Sequence, residues 1–411
     1  MRILLLHDYG TATGGAELQM LSLRRGLRER GHEVRLLTSR AQMVANSPLL
    51  ADYDCFGTTG KLQVLSQTIN PSAYWVLRQA LEEFQPDVVH VRMFMWQLSP
   101  LILPLLKTIP CLYQTAVYKA ICPLGTKVLP DGQACSFTAG PACLQMGCLT
   151  PQSWLPLMLQ RHLWQRWKSV FDLVVALSYG MKAKLEAEGI QPIEVVHNGV
   201  PERSIRPALS DPPTVVFAGR LVPEKGVEVL LRAFAQAHVP QAQLLIAGQG
   251  SEAAALQTLA AELGIADCVT WLGHLPVAEM ERRFETAWVQ VVPSLWEEPF
   301  GNVSTEAMMR GTAVIASAVG GQPEIVDAGV TGFLVPPGDI AALSNALRQL
   351  LLNRDLAEQM GQAGRQRALT HFSETQRTER FIEIYQRLRS RYPQATEIEP
   401  AKALAAGIKQ R

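Results

Sequence analysis

The chain has 411 residues, of which 48% are hydrophobic and 18% charged, with a net charge of +1. That length accommodates two domains with separate cores, and the charge balance excludes any global attraction to nucleic acid or acidic surfaces. The opening MRILLLHDYG is too short in apolar residues for a signal peptide or a membrane span, so the expected compartment is the cytoplasm.

RILLLH reads as a first strand, followed by a glycine loop with Gly14 and Gly15 and a helix, AELQMLSLRRGLRERG, that Gly31 can end. This loop is not G-x-G-x-x-G, so the dinucleotide fingerprint fails where it is expected. EVRLLTS is a second strand. Asp52 and Asp54 in LLADYDCFG form an Asp-x-Asp that could hold a divalent metal, but the context reads as a loop. DVVHVR and PCLYQTA are further strands. The first would deliver His90 towards a cleft, although a lone histidine in an apolar run also suits a core.

Cys122, Cys135, Cys143 and Cys148 fall in one Gly/Pro-rich stretch, CPLGTKVLPDGQACSFTAGPACLQMGC. Four close thiols could form a structural zinc site, yet only the 143–148 gap approaches ordinary ligand spacing. Reduced structural thiols outrank zinc, and disulfides come last in a reducing compartment. Residues 153–171, SWLPLMLQRHLWQRWKSVF, place Leu159, Leu163, Trp164, Trp167, Val170 and Phe171 on one helix side, with Gln160 breaking the stripe. Such a basic, Trp-rich helix could touch a membrane surface, but packing on its own domain is the preferred reading.

DLVVALS and IEVVHNGV close the first half, and a polar, proline-containing stretch around Pro201–Pro213 reads as a linker. A second series follows: TVVFAGR, QLLIAGQG, CVTWLGH, WVQVVPS, AVIAS and GFLVPPGD, with helical stretches between several of them. Apolar runs alternating with amphipathic segments predict two doubly wound α/β units whose ligand lies in the cleft between them. The expected boundaries are 1–198 and 199–373. A last helix, about Glu374 to Ser390, has Phe381, Ile384, Tyr385 and Leu388 on one side, and a loosely ordered tail follows from 391.

Two stretches of the second half point to chemistry. In FAGRLVPEKGVEVLL, Arg220 ends a strand and Lys225 precedes a helix. Two cations beside a helix N-terminus suit a departing diphosphate, whereas the plainer reading is a solvated charge pair with Glu224. In LWEEPFGNVSTEAMMRG, unpaired backbone N–H groups near Gly301, Asn302 and Val303 can bind phosphate or a sugar hydroxyl. Asn302 is the expected N-cap. Glu298 before the helix and Glu306 one turn into it would accept hydroxyls of the same ligand. LLIAGQGSEA matches G-x-G-x-x-A at Gly248, Gly250 and Ala253, but so short a match is a weak indication of NAD.

Together, FAGRLVPEKG, IAGQG, VPSLWEEPFGNVSTEAMMRGTAVIASAVGGQPEIV and GVTGFLVPPGD, preceded by GGAELQML, PDVVHV and HNGV, resemble the retaining GT-B glycosyltransferases of glycosyltransferase family four. The resemblance implies two facing Rossmann-like domains, with the last helix crossing back to the first. It implies a nucleotide-diphosphate sugar in the C-terminal domain, an acceptor in the N-terminal domain and no catalytic metal. Arg220 and Lys225 would hold the diphosphate, and Glu298 the donor sugar. Gly301, Asn302 and Val303 would offer N–H groups, and Glu306 would take the ribose hydroxyls. Gly14 and Gly15 would approach the diphosphate from the opposite wall.

One departure stands out: YQTAVYKAICP has Ala116 and Val117 where many members carry a histidine, and no histidine lies between Cys111 and Cys122. The frequent His-x-His is here His90-Val91-Arg92. His90 therefore stays a candidate catalytic residue beside Arg220, Lys225 and Glu298, and same-face transfer to the departing phosphate oxygen is the expected route. The acceptor is open among glycan, lipid-linked and small-molecule classes. A non-catalytic nucleotide-sugar-binding member and a GT-B epimerase or hydrolase are the alternatives.

Overall fold

The computed structural model describes residues 1–42, 44 and 47–392, so most of the expected tail lies outside the described residues. Seven parallel strands form the first sheet: β1 (Arg2–Tyr9), β2 (Glu33–Ser39), β3 (Tyr53–Cys55), β4 (Val88–Val91), β5 (Cys111–Gln114), β6 (Leu173–Ala176) and β7 (Ile193–Val195). Their order is β3-β2-β1-β4-β5-β6-β7. Six parallel strands form the second: β8 (Thr214–Ala218), β9 (Gln243–Ala247), β10 (Val269–Gly273), β11 (Val289–Val292), β12 (Ala313–Ser317) and β13 (Gly332–Val335), in the order β10-β9-β8-β11-β12-β13. Strand order reverses between β1 and β4 in one sheet and between β8 and β11 in the other. Loops leaving neighbouring strands at such a point diverge and leave a crevice, which is where ligands settle in this architecture.

Both sheets are buried on both faces, so their strands are apolar at successive positions rather than alternating. In β1, Leu4 and Leu6 enter one core while Ile3 and Leu5 enter the other. The second of these cores contains Met20, Leu23 and Leu27 of the helix Gly15–Glu29. It also holds Phe381, Ile384, Tyr385 and Leu388 of the last helix, Glu374–Arg389. The last helix therefore docks on the first sheet. Each such side chain contributes on the order of 2 kcal/mol by burial. The chain passes between the domains twice, side by side: Val200 N–H donates to Phe372 O and Glu374 N–H donates to Val200 O.

Two sequence readings change. Asp54 lies within the edge strand β3 and Asp52 directly before it, rather than both sitting in a loop. Asp52 accepts the Leu36 N–H and pairs with Arg24, while Asp54 pairs with Arg40. The Trp-rich helix runs Pro151–Trp167, and its buried residues are Leu157, Gln160 and Trp164, while Leu155 and Leu159 are exposed. Gln160 does not interrupt the buried face but belongs to it, because its amide donates to the carbonyls of Gln67 and Met95. No described helix is long and apolar enough to cross a membrane.

Candidate functional site

The crevice of the second sheet is built by the loop after β8, carrying Arg220 and Lys225, and the loop after β11, carrying Ser294 to Gly301. The two loops are tied together by Leu295 N–H donating to Glu224 O at 2.9 Å. Lys225 Nζ reaches across to Glu298 Oε1 at 2.6 Å, and Ser294 Oγ donates to the same oxygen. Glu298 is only 7% exposed, and these two partners compensate its carboxylate for the lost water. Arg220 is solvent-facing and pairs with Glu224 at 3.1 Å. Arg220 thus makes the expected exposed pair with Glu224, while Lys225 takes a different carboxylate.

Gly301 ends the second loop with φ +138°, and a Cβ there would lie 2.4 Å from Gln322 Nε2, so a side chain has neither the backbone conformation nor the room. Gly301, not Asn302, is the N-cap of the helix Asn302–Arg310. The Asn302 side chain instead accepts from Asn198 Nδ2 of the other domain at 2.9 Å. The first-turn N–H groups of Asn302 and Val303 have no intrahelical acceptor and point to the crevice end of the helix. Glu306 stands one turn further on, half-buried, and no described residue hydrogen-bonds its carboxylate. Burial raises its pKa above the usual carboxylate range, and Arg310 opposes that rise.

Behind these residues a cavity of ≈ 290 Å³ opens over the ends of β8, β9 and β10, lined by Gly219, Arg220, Gly248, Gln249, Leu275 and Val303 among others. Gly248 is a glycine because a Cβ would sit 1.8 Å from Gly219 O. The G-x-G-x-x-A match therefore reflects close packing of two loops that wall this cavity.

The first domain closes over the crevice. Gly14 and Gly15 stand at the start of the helix Gly15–Glu29, and a Cβ on Gly15 would lie 3.6 Å from Asn302 Nδ2. Lys184 Nζ pairs with Glu297 at 2.6 Å, and His197 Nε2 with Glu324 at 3.0 Å, while the His197 ring stacks on Phe300. Burial pushes the Glu324 carboxyl up, but hydrogen bonds from His197 and the N–H groups of Tyr179 and Gly180 together hold it below the usual range.

His90 is not at this site. It is fully buried beneath the last helix, with Nδ1 2.6 Å from the Tyr385 hydroxyl and Nε2 3.2 Å from Gln114 Oε1. Arg92 also donates to that oxygen, so Nε2 carries the proton and Nδ1 accepts from Tyr385. Burial lowers its pKa to about 3, and the neutral ring has both nitrogens occupied. The candidate catalytic role fails for lack of access.

Tyr118 was missed by sequence reasoning. It occupies the segment that lacks the histidine, stands edge-on to Trp296 with ring centroids 6.5 Å apart, and buries a hydroxyl with no partner. A tyrosine in an apolar run carries no sequence signal of that kind. The four cysteines of the 122–148 loop are free thiols. Among the described residues, no group of three or more His, Cys, Asp or Glu is placed to hold a metal.

Residues 14–199 match the glycosyl transferase 4-like domain, and residues 201–367 match the glycosyl transferases group 1 family. The chain is 41% identical over 155 residues to a D-inositol 3-phosphate glycosyltransferase of Corynebacterium jeikeium, covering 36% of this chain and 37% of that one. It is 34% identical over 251 residues to an alpha-maltose-1-phosphate synthase of Mycolicibacterium smegmatis, covering 53% and 63%. The matched stretches thus span less than two thirds of these relatives.

Among solved structures, sucrose-phosphate synthase from Thermosynechococcus elongatus superposes with a TM-score of 0.72 at 24% identity, over 95% of this chain and 99% of that one. HepE of Anabaena, solved with UDP-glucose, gives 0.66 at 21% identity, over 94% and 100%. The fold is therefore GT-B. With both of its domains matched, the chain belongs to the group 1 glycosyltransferases, the GT4-like family.

Proposed function

We propose that this protein is a retaining glycosyltransferase that moves a sugar from a nucleotide-diphosphate sugar to an acceptor held by the first domain. The observation that carries the proposal is the grouping of Lys225, Glu298 and the open N-terminus of the helix Asn302–Arg310 at one topological switch point, opposite Gly14 and Gly15. The nucleoside fits the cavity over β8–β10, with its ribose hydroxyls on Glu306. The diphosphate lies along Arg220, Lys225 and the N–H groups of Asn302 and Val303. These cations and dipoles stabilise the charge that grows as the sugar–phosphate bond breaks, the task a metal performs in other transferases. Glu298 takes the sugar hydroxyls.

With His90 buried and bonded, it is not offered as base. The departing phosphate oxygen takes the proton from the acceptor hydroxyl as that hydroxyl adds to the same face of the anomeric carbon, so configuration is retained. Glu306→Ala is expected to weaken nucleotide-sugar binding, and Lys225→Ala chiefly to lower turnover. Unchanged calorimetric affinity and unchanged kinetics in both variants would overturn these roles. Tight donor binding without nucleotide release for any acceptor would favour the non-catalytic alternative.

A further inference from the structure

The first sheet has its own switch point, and it holds a second cavity. Between the loops after β1 and β4 lies a space of ≈ 490 Å³ lined by Tyr9, Thr13, Gly14, Glu17, Thr59, Gln63, Met93 and Trp96. It borders the donor crevice, because Gly14 lines it and the next residue, Gly15, faces Asn302. Its size suits a sugar-sized ligand with room to spare.

The polar equipment of this cavity is one-sided. Glu17 is 8% exposed, and apart from its own backbone N–H its carboxylate has no hydrogen-bond or ion-pair partner among the described residues. Burial raises its pKa, and the nearby positive charge of Arg92 limits the rise. No described lysine or arginine lines the space. Two cations close by are turned to other work. Lys119 lies over the Trp96 ring, 3.9 Å from its centroid, and donates to Pro123 O and Gln67 Oε1. Arg92 donates to Gln114 and Asn198.

The wall itself is held rigid. Asp8 is fully buried, and its carboxylate accepts the N–H groups of Trp96, Gln97 and Leu98 at 2.8 to 3.0 Å, which fixes the turn that presents the indole. Tyr9 is set by hydrogen bonds of its hydroxyl with Gln97 and Gln63.

A largely desolvated carboxylate with only its own backbone N–H as partner is costly unless a ligand supplies donors, and it repels an anion in the same cavity. An indole and a thioether beside it offer an apolar surface to the face of a sugar ring. We infer that this cavity takes an uncharged, polyhydroxylated acceptor of sugar type, whose hydroxyls donate to Glu17 and whose ring lies against Trp96, and that it rejects sugar and cyclitol phosphates. Glu17 is then a specificity-determining residue. The inference rests on the transferase reading for the word acceptor, but binding in this cavity can be measured without a donor.

The test is saturation-transfer NMR on the full chain with two probe sets: alkyl hexosides, and hexose 6-phosphates with myo-inositol 1-phosphate. Saturable binding of at least one neutral hexoside is expected, with no saturable binding of the phosphates. In Glu17→Gln, which keeps the side-chain shape, hexoside affinity should fall about tenfold while the melting temperature stays within a few degrees. Glu17→Ala is the second variant, and nucleotide-sugar binding should be unchanged in both. Tighter binding of any phosphate than of its neutral counterpart, absence of hexoside binding, or unchanged hexoside affinity in folded Glu17→Gln and Glu17→Ala would each overturn it. Failure of every nucleotide-sugar to bind would instead remove the functional reading and leave the hexoside result standing.

Discussion

Lys225 and Glu298 form an ion pair with Nζ and Oε1 2.6 Å apart, joining the two loops of the second sheet's crevice. Because Glu298 is nearly buried, removing its partner leaves a charge with only Ser294 to serve it. Lys225→Ala and Glu298→Ala should therefore each lower unfolding free energy by about 2 kcal/mol, and the double variant by little more than either single one. Denaturant unfolding of the four proteins measures the coupling. Fully additive losses would show that the pair does not act as a unit.

Tyr118 buries an unbonded hydroxyl beside Trp296 at the domain junction. Tyr118→Phe removes a desolvated group that satisfies nothing, so stability should hold within about 0.5 kcal/mol or rise slightly. If the hydroxyl meets the donor sugar or its phosphate, turnover falls about tenfold. Thermal unfolding and steady-state kinetics separate the two effects, and a large loss of stability would show that the hydroxyl is bonded in the folded protein.

Burial holds both His7 and His90 neutral, lowering each from an ordinary 6.5 to about 3. Between those limits the unfolded chain binds more protons than the folded one, so both contributions to stability shrink as pH falls below 6.5. Asp8, raised by burial to about 6, acts in the opposite sense between its ordinary value of 3.8 and 6. Each histidine supplies about 1.4 kcal/mol per pH unit in its window. His90→Gln should flatten the acid limb of stability by about one such increment and leave turnover within a few fold at neutral pH. An unchanged acid limb, or lost turnover in a folded variant, would contradict the structural role given to this histidine.

The residues that gather at the crevice of the second sheet were legible in the sequence because backbone geometry wrote them there. Gly301, the loop carboxylate Glu298 and the in-helix Glu306 are fixed by one strand–loop–helix unit, and Lys225 by another. What periodicity could not convey was pairing across loops. Lys225 finds Glu298 rather than Glu224, and Asn302 turns to Asn198 while a glycine takes the cap. His90 shows the limit most plainly. Its strand does run towards the crevice, yet the residue sits on the face covered by a helix from the far end of the chain. Gln160 shows the converse, since a polar residue at a buried position is recognisable only once Gln67 and Met95 offer it their carbonyls. The cavity of the first sheet was equally silent, being assembled from three separate chain segments.

The most direct test is calorimetric titration of the full chain and of Glu306→Ala with a panel of nucleotide-diphosphate sugars. Glu306 has a half-buried carboxylate and no described hydrogen-bond partner, so its loss should cost the folded protein little and the ligand much. Saturable binding of at least one nucleotide-sugar to the wild type is expected, with an affinity about tenfold or more lower in the variant. Equal affinity in the two proteins, or no binding of any nucleotide-sugar to the wild type, would contradict this expectation.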